Sequence, residues 1–378
     1  MRIALVRKNY NPYGGAENYL RLVAGKLSEQ GHEIDIFSTN AMAYDTFSIR
    51  IVSACRKPSF LSSSIFALRS RKELKKASPD VILSFERTLY QDIYRAGDGC
   101  HKEWLKKRGI MEPFLKRISH KINPLHLVLL YLESRCFKNS RCIIANSIMV
   151  KNDIVRNYSI SPDKITVIYN GVDTSRFKPA GDEKKKTLRN SYQITENNII
   201  LFIGADFKRK GVSSLLKAFS LMDLNNTRLI IAGRPAKNVY ISSAKKLGIY
   251  KKVTFWGPEK EVENLYAISD VFVLPTIYDP FSNATLEAMA SGLPVITTQH
   301  NGVSEIIEEG IQGFIVDPLD VTLLAERIIS ALASGGEMGK RARAKAEEFP
   351  IKNAVKEIVN LISGKDCQVA SSIMKCNT

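Results

Sequence analysis

Two apolar, β-branched runs, Asp270-Val271-Phe272-Val273-Leu274-Pro275 and Pro294-Val295-Ile296-Thr297-Thr298, bracket the stretch from Tyr278 to Leu293. A strand, a loop, a short helix and a second strand in that order make one parallel crossover, and a sheet built from such units is of the α/β class. Ser282 or Asn283 caps the helix, which aims the N–H groups of Ala284, Thr285 and Leu286 at the loop, where the helix dipole favours an anion. Asp279 lies before this helix and Glu287 about one turn inside it. Two acids suit a phosphate poorly and hydroxyls well, so a ligand carrying both a phosphate and sugar hydroxyls accounts for the pattern. Without a ligand, Asp279 is a turn former before Pro280 and Glu287 an ordinary helix acid.

The same alternation runs through the chain. Residues 2–7 form an apolar strand, and a loop ending in Gly14-Gly15 leads to a helix from Ala16 to about Gln30. Further strands are expected at 32–37, near 48–53, at 80–84 and at 141–146, where Ser147 caps the next helix. Residues 164–173 close a first domain at 1–173. Lys178 to Lys186 is polar and breaker-rich, as a linker is. A second domain, 174–350, restarts with a strand at 199–203, then Asp206-Phe207-Lys208-Arg209-Lys210-Gly211 and a helix. Strands at 229–232 and 253–256 end in Gly233-Arg234-Pro235 and Gly257-Pro258. Amphipathic helices occupy about 320–334, 336–348 and 351–363. The last, 351–364, is expected to cross back to the first domain, and 365–378 reads as a disordered tail.

Lys and Arg exceed Asp and Glu enough to give a formal charge of +17, which draws anionic partners without choosing among them. Between His101 and Arg141 ten Lys and Arg stand against three Glu, with Trp104, Ile110, Met111, Phe114, Leu115 and Ile118 among them and the apolar run Leu125–Leu132 after. Cations beside aromatic and aliphatic groups suit an anionic membrane surface, through about residues 101–132, and also suit a solvated helix followed by a core helix. No nucleic-acid motif accompanies the charge, and nucleic acid is not expected as a partner. The six cysteines lack Cys-x-x-Cys spacing, so neither a zinc site nor a disulfide framework is expected. No apolar run is long enough to span a bilayer. With the N-terminal apolar run too short for a signal peptide, the expected location is cytoplasmic, at the inner face of the membrane.

The stretch Tyr278–Thr297 resembles the acid-x7-acid motif of retaining glycosyltransferases of family four, with Asp279 where Glu is usual and Ser282 where Gly is usual. The resemblance extends from Met1 to about Ile362. It implies two Rossmann-like domains facing a cleft, the architecture called GT-B, with the acceptor on the first and a nucleotide diphosphate sugar on the second. It also implies catalytic roles for Asp98, Asp279 and Glu287. Donor contacts are expected from Gly14, Gly15, Arg209, Lys210, Gly233, Arg234, Ser282, Asn283, Ala284, Thr285 and Glu287. Acceptor contacts are expected from Glu17, Asp98 and His101. Many relatives place the pyrophosphate arginine directly after the strand glycine, where this chain has Ala205, so Lys210 is the firmer counterpart.

Within the family, Gly97-Asp98-Gly99-Cys100 and the basic stretch after it look most like enzymes that extend the inner core of bacterial lipopolysaccharide. That implies transfer of a hexose from UDP-glucose, with retention, to a glycolipid. No Asp-x-Asp occurs, and no metal or other cofactor is expected. The alternatives are a nucleotide-sugar epimerase or phosphorylase of the same architecture, or a non-enzymatic basic module that binds membrane or nucleic acid.

Overall fold

The computed structural model describes residues 1–9, 15–40, 47–55, 57–110, 112, 122–234, 237–334 and 336–364. Gly14, Met111, Phe114, Leu115, Ile118, Pro235 and the expected tail lie outside the described residues. The chain divides into two compact units: Met1–Tyr169 with the helix from Lys352 onward, and Asn170–Ile351. Each contains one sheet in which every strand pair is parallel.

In the first unit the strands are β1 (Arg2–Val6), β2 (Glu33–Ser38), β3 (Ser48–Ile51), β4 (Val81–Ser84), β5 (Ile93–Arg95), β6 (Cys142–Ala145) and β7 (Ile165–Val167). Their spatial order is β3-β2-β1-β4-β5-β6-β7. Ile3 to Val6 is wholly buried because helices cover both faces of the sheet, which is why the strand reads as a continuous apolar run. One core cluster joins Val6, Phe37, Phe66 and Leu74, and another joins Tyr94, Phe137, Ile143 and Ile154.

In the second unit the strands are β8 (Asn198–Ile203), β9 (Thr227–Ala232), β10 (Val253–Gly257), β11 (Val271–Val273), β12 (Val295–Thr298) and β13 (Gly313–Val316). They are ordered β10-β9-β8-β11-β12-β13. The crossover from β11 to β12 carries the helix Asn283–Ala290. The closing helices are Val321–Ala333, Glu337–Glu347 and Ile351–Ile362.

The segment read as a linker is instead partly helical, over Asp182–Ser191. Asp182 and Glu183 stand in its first turn, where acids complement the dipole. Lys185 and Arg189 both reach Asp270 at 2.7 Å, so the lysine run is anchored to the sheet end. Composition pointed to a linker because a surface helix held by ion pairs carries no buried stripe to announce it.

Candidate functional site

Each sheet reverses its strand order once, and in open α/β sheets ligands collect outside the carboxyl ends of the strands at that reversal. In the second unit the flanking strands are β8 and β11. The loop after β8 carries Arg209 and Lys210; the loop after β11 carries Asp279 and leads to Glu287. Gly211 has φ +79°, and a Cβ there would collide with the Pro275 carbonyl, so only glycine lets the two loops approach this closely. The Arg209 carbonyl accepts from Ile277 N–H at 2.9 Å and from the Thr276 hydroxyl at 3.1 Å, which fastens one loop to the other.

Lys210 donates to Asp279 Oδ2 at 3.0 Å, and both side chains are largely buried. Arg209 lies 4.0 Å from the same oxygen and donates to the Tyr278 carbonyl at 2.7 Å. Burial works to raise the Asp279 carboxyl, but Lys210 and Arg209 outweigh it and hold the group below the ordinary value of 3.8. Its backbone is fixed as well, since Asp279 N–H donates to the His300 carbonyl at 2.9 Å and Gly302 N–H donates to the Asp279 carbonyl at 2.9 Å. Asp279, expected to grip carbohydrate, is thus the counter-ion of the two cations.

Ser282 is the helix cap, accepting from Thr285 N–H at 3.3 Å through its hydroxyl and from Leu286 N–H at 3.2 Å through its carbonyl. Two of the three amides expected to face an anion are therefore taken. Helix geometry leaves the first-turn amides of Asn283 and Ala284 without intrahelical partners. Thr285 is wholly buried, 3.4 Å from Asn301 Nδ2, and Asn283 accepts from Asn170 at 2.7 Å. Glu287 accepts from the Tyr266 hydroxyl at 2.9 Å. Burial raises its pKa, and Tyr266, Arg176 and Lys210 only partly oppose that, which puts the lysine within electrostatic reach of the acid. After β9, Gly233 has φ +136° and packs on the Gly204 carbonyl, with Arg234 exposed beyond it.

Asn301, Tyr266 and Arg176 had no place among the expected site residues. Asn301 is wholly buried; its Oδ1 accepts from Ser282 N–H at 3.1 Å and its amide donates to Thr297 at 2.9 Å. Asn301-Gly302 after an apolar strand was visible, but nothing local said where the amide points.

In the first unit the reversal lies between β1 and β4. Gly15 opens the helix Gly15–Glu29. Arg7, directly after β1, donates to Glu17 at 3.1 Å and to the Phe85 carbonyl at 2.9 Å. Glu17 is thus a buried partner of Arg7. Asp98 stands 3.7 Å from both Arg7 and Arg87, its side chain 49% exposed. His101 begins the helix His101–Ile110, and its ring Nε2 is 3.1 Å from His126 Nδ1. Burial, with Arg87 and His126 adding to it, pushes the His101 ring down to about 3, so it is neutral and engaged by another ring. Of the two residues expected to meet the acceptor here, His101 has its ring engaged by His126, whereas the Asp98 carboxyl is half exposed. Glu133, wholly buried, fixes that turn: it accepts from Arg87 at 3.1 Å, from His101 N–H at 2.7 Å and from the Tyr158 hydroxyl at 2.6 Å.

Among the described residues no group of three His, Cys, Asp or Glu is placed to hold a metal ion, and no helix is long and apolar enough to cross a membrane.

Residues 13–176 match the family described as Glycosyltransferase Family 4, and residues 184–349 match Glycosyl transferases group 1. An uncharacterized glycosyltransferase of Methanocaldococcus jannaschii is 27% identical, covering 96% of this chain and 97% of its own. The lipopolysaccharide glucosyltransferase WaaG of Escherichia coli is 22% identical, covering 96% and 99%. The crystal structure of WaaG, a glycosyltransferase involved in lipopolysaccharide biosynthesis, matches with a TM-score of 0.83 at 22% identity over 96% of this chain and 100% of that one. Anabaena HepE in complex with UDP-glucose matches with a TM-score of 0.76 at 19% identity over 96% and 99%.

Proposed function

Because the chain belongs to the GT-B glycosyltransferases, with a family 4 domain followed by a group 1 domain, we propose that it moves a hexose from a nucleotide diphosphate sugar to a glycolipid with retention at the anomeric carbon. UDP-glucose is the donor of first choice, and the inner core of lipopolysaccharide is the acceptor. The observation that carries this reading is the Lys210–Asp279 pair at 3.0 Å at the reversal of the second sheet, with Glu287 in the helix that follows.

Breaking the bond between sugar and diphosphate builds negative charge on the departing phosphate. Lys210, the guanidinium of Arg209 and the amides of Asn283 and Ala284 stabilise that charge, the electrostatic contribution that dominates such reactions. Asp279 acts as a positioning residue that keeps Lys210 aimed. Its ion pair makes it a poor nucleophile. Glu287, one oxygen held by Tyr266, accepts from donor hydroxyls with the other. Asp98 orients the acceptor hydroxyl, which attacks from the face the diphosphate leaves and passes its proton to the departing phosphate.

The relatives supply the substrate classes: WaaG is named a lipopolysaccharide glucosyltransferase and HepE was solved with UDP-glucose. A peripheral site at the cytoplasmic face of the membrane fits the exposed Leu127 and Tyr131, which border an apolar groove of about 360 Å³ shared with Leu68 and Leu132. Arg135 lies over the Tyr131 ring, 5.6 Å from its centroid, so a cation sits beside the apolar face.

The test is a panel of nucleotide sugars, with slow release of free nucleoside diphosphate followed by mass spectrometry. UDP-glucose is expected to be consumed by the wild type, and neither Glu287→Ala nor Lys210→Ala is expected to turn over while still folded. Ordinary turnover in both folded variants would refute these roles.

A further inference from the structure

The first unit holds a charge cluster at the same topological position as the donor pocket, and one member of it has no role so far. Glu86 follows β4, the strand across the reversal from β1. Its N–H is accepted by the Ser84 hydroxyl at 3.2 Å, and the same hydroxyl donates to the Glu86 carbonyl at 2.6 Å. The backbone is therefore pinned directly beside the sheet. The carboxyl accepts from Arg87 N–H at 3.3 Å, and Arg87 is one of the two arginines that face Asp98. The other, Arg7, donates to the carbonyl of Phe85, the residue before Glu86.

The four acids here divide by exposure. Glu17 and Glu133 are buried and bonded to Arg7 and Arg87, each at 3.1 Å. Asp98 is half exposed and Glu86 partly so, and the arginines stand no closer to Asp98 than 3.7 Å. What reaches solvent includes the Asp98 carboxylate and part of Glu86, with cations behind them. Such a surface accepts hydrogen bonds from hydroxyls and disfavours an anionic group. Arg87 joins the two acids, its N–H on Glu86 and its guanidinium 3.7 Å from Asp98, and burial raises the Glu86 carboxyl, with the charge of Asp98 adding to that against Arg7, Arg87 and Lys8.

We propose that Glu86 is a second acceptor-binding carboxylate, which with Asp98 brackets two hydroxyls of a neutral sugar ring at the end of the acceptor. This rests on the acceptor-side reading of Asp98. The experiment compares wild type, Glu86→Gln and, as an exposed control, Glu29→Gln, using lipopolysaccharide truncated after its inner-core sugars and UDP-glucose. Glu86→Gln is expected to raise the acceptor KM about tenfold, the effect of one hydrogen bond to a charged group. The KM for UDP-glucose and its hydrolysis without acceptor are expected to stay within about twofold. Unchanged acceptor KM, or an equal loss of acceptor-free hydrolysis, would overturn the proposal, as would competition of inorganic phosphate for the acceptor. Binding of the same lipopolysaccharide without donor, by saturation-transfer NMR, keeps the test independent of turnover. Weaker binding by Glu86→Gln supports the proposal even where UDP-glucose is not the donor; equal binding, or none by wild type, sinks it.

Discussion

The two units solve one topological problem with opposite electrostatics. Both place a cation after the first central strand; the second unit has Asp279 after the strand across the reversal, whereas the first has Glu86 there and Asp98 after the next strand, β5. In the second unit the cation and acid are in contact and buried, Lys210 to Asp279 at 3.0 Å. In the first, Asp98 stands 3.7 Å from each of two arginines and is half exposed. A closed buried pair is a rigid fixture that aims its lysine whether or not a ligand is present. An open, arginine-backed acid retains accepting capacity for something that arrives. The difference fits the proposed division of labour, in which one site stabilises developing charge and the other orients a hydroxyl.

The largest break in that comparison is Lys210→Ala. Removing the cation is expected to lower kcat by about 10³-fold, the scale seen when a preorganised charge stabiliser is lost. It also strands the buried Asp279, so thermal unfolding should register a loss of about 3 kcal/mol. Arg7→Ala, at the equivalent place in the other unit, should act mainly on acceptor KM and leave acceptor-free hydrolysis of the donor unchanged. Equal effects of the two variants on donor hydrolysis would erase the proposed division.

A smaller effect tests whether Asp279 is ionised because of its partners. Its folded pKa lies below the ordinary 3.8. A depressed acid contributes stability that is fully present above the unfolded value and is lost as pH falls through the folded one. The stability gap between wild type and Asp279→Asn should therefore be widest above about pH 5 and close as pH falls below 3.8. A gap independent of pH, followed by denaturant unfolding, would mean that the carboxylate charge contributes nothing.

Much of this was legible in the sequence because parallel strands covered on both faces are unbroken apolar runs, and because caps such as Ser147 and Ser282 are local devices. What the sequence hid was long-range pairing. Nothing local announced that Lys210 would pair with Asp279, or that His126 would lie 3.1 Å from the His101 ring. Arg7, Glu86 and Arg87 are ordinary loop charges in one dimension and a cluster only after β1 and β4 become neighbours. The helical part of Lys178–Lys186 was read as linker for the same reason, since its anchor, Asp270, lies far along the chain.

The finest test concerns Glu287, which differs from Asp279 in having, among the described residues, no cation in hydrogen-bonding contact. Burial raises its pKa above the ordinary 4.5, and the Tyr266 hydroxyl is the leading influence in the other direction. If Glu287 works as a carboxylate, activity falls on the acid side as that group takes up a proton. Tyr266→Phe removes a donor to the ionised form, so the acid limb of kcat should move to higher pH, by up to about one unit for a hydrogen bond of about 1.4 kcal/mol. The measurement is a pH–rate profile of both proteins with saturating donor. A limb that stays in place would mean that the acid-side loss belongs to another group, and a limb that moves the other way would mean that Tyr266 stabilises the protonated acid.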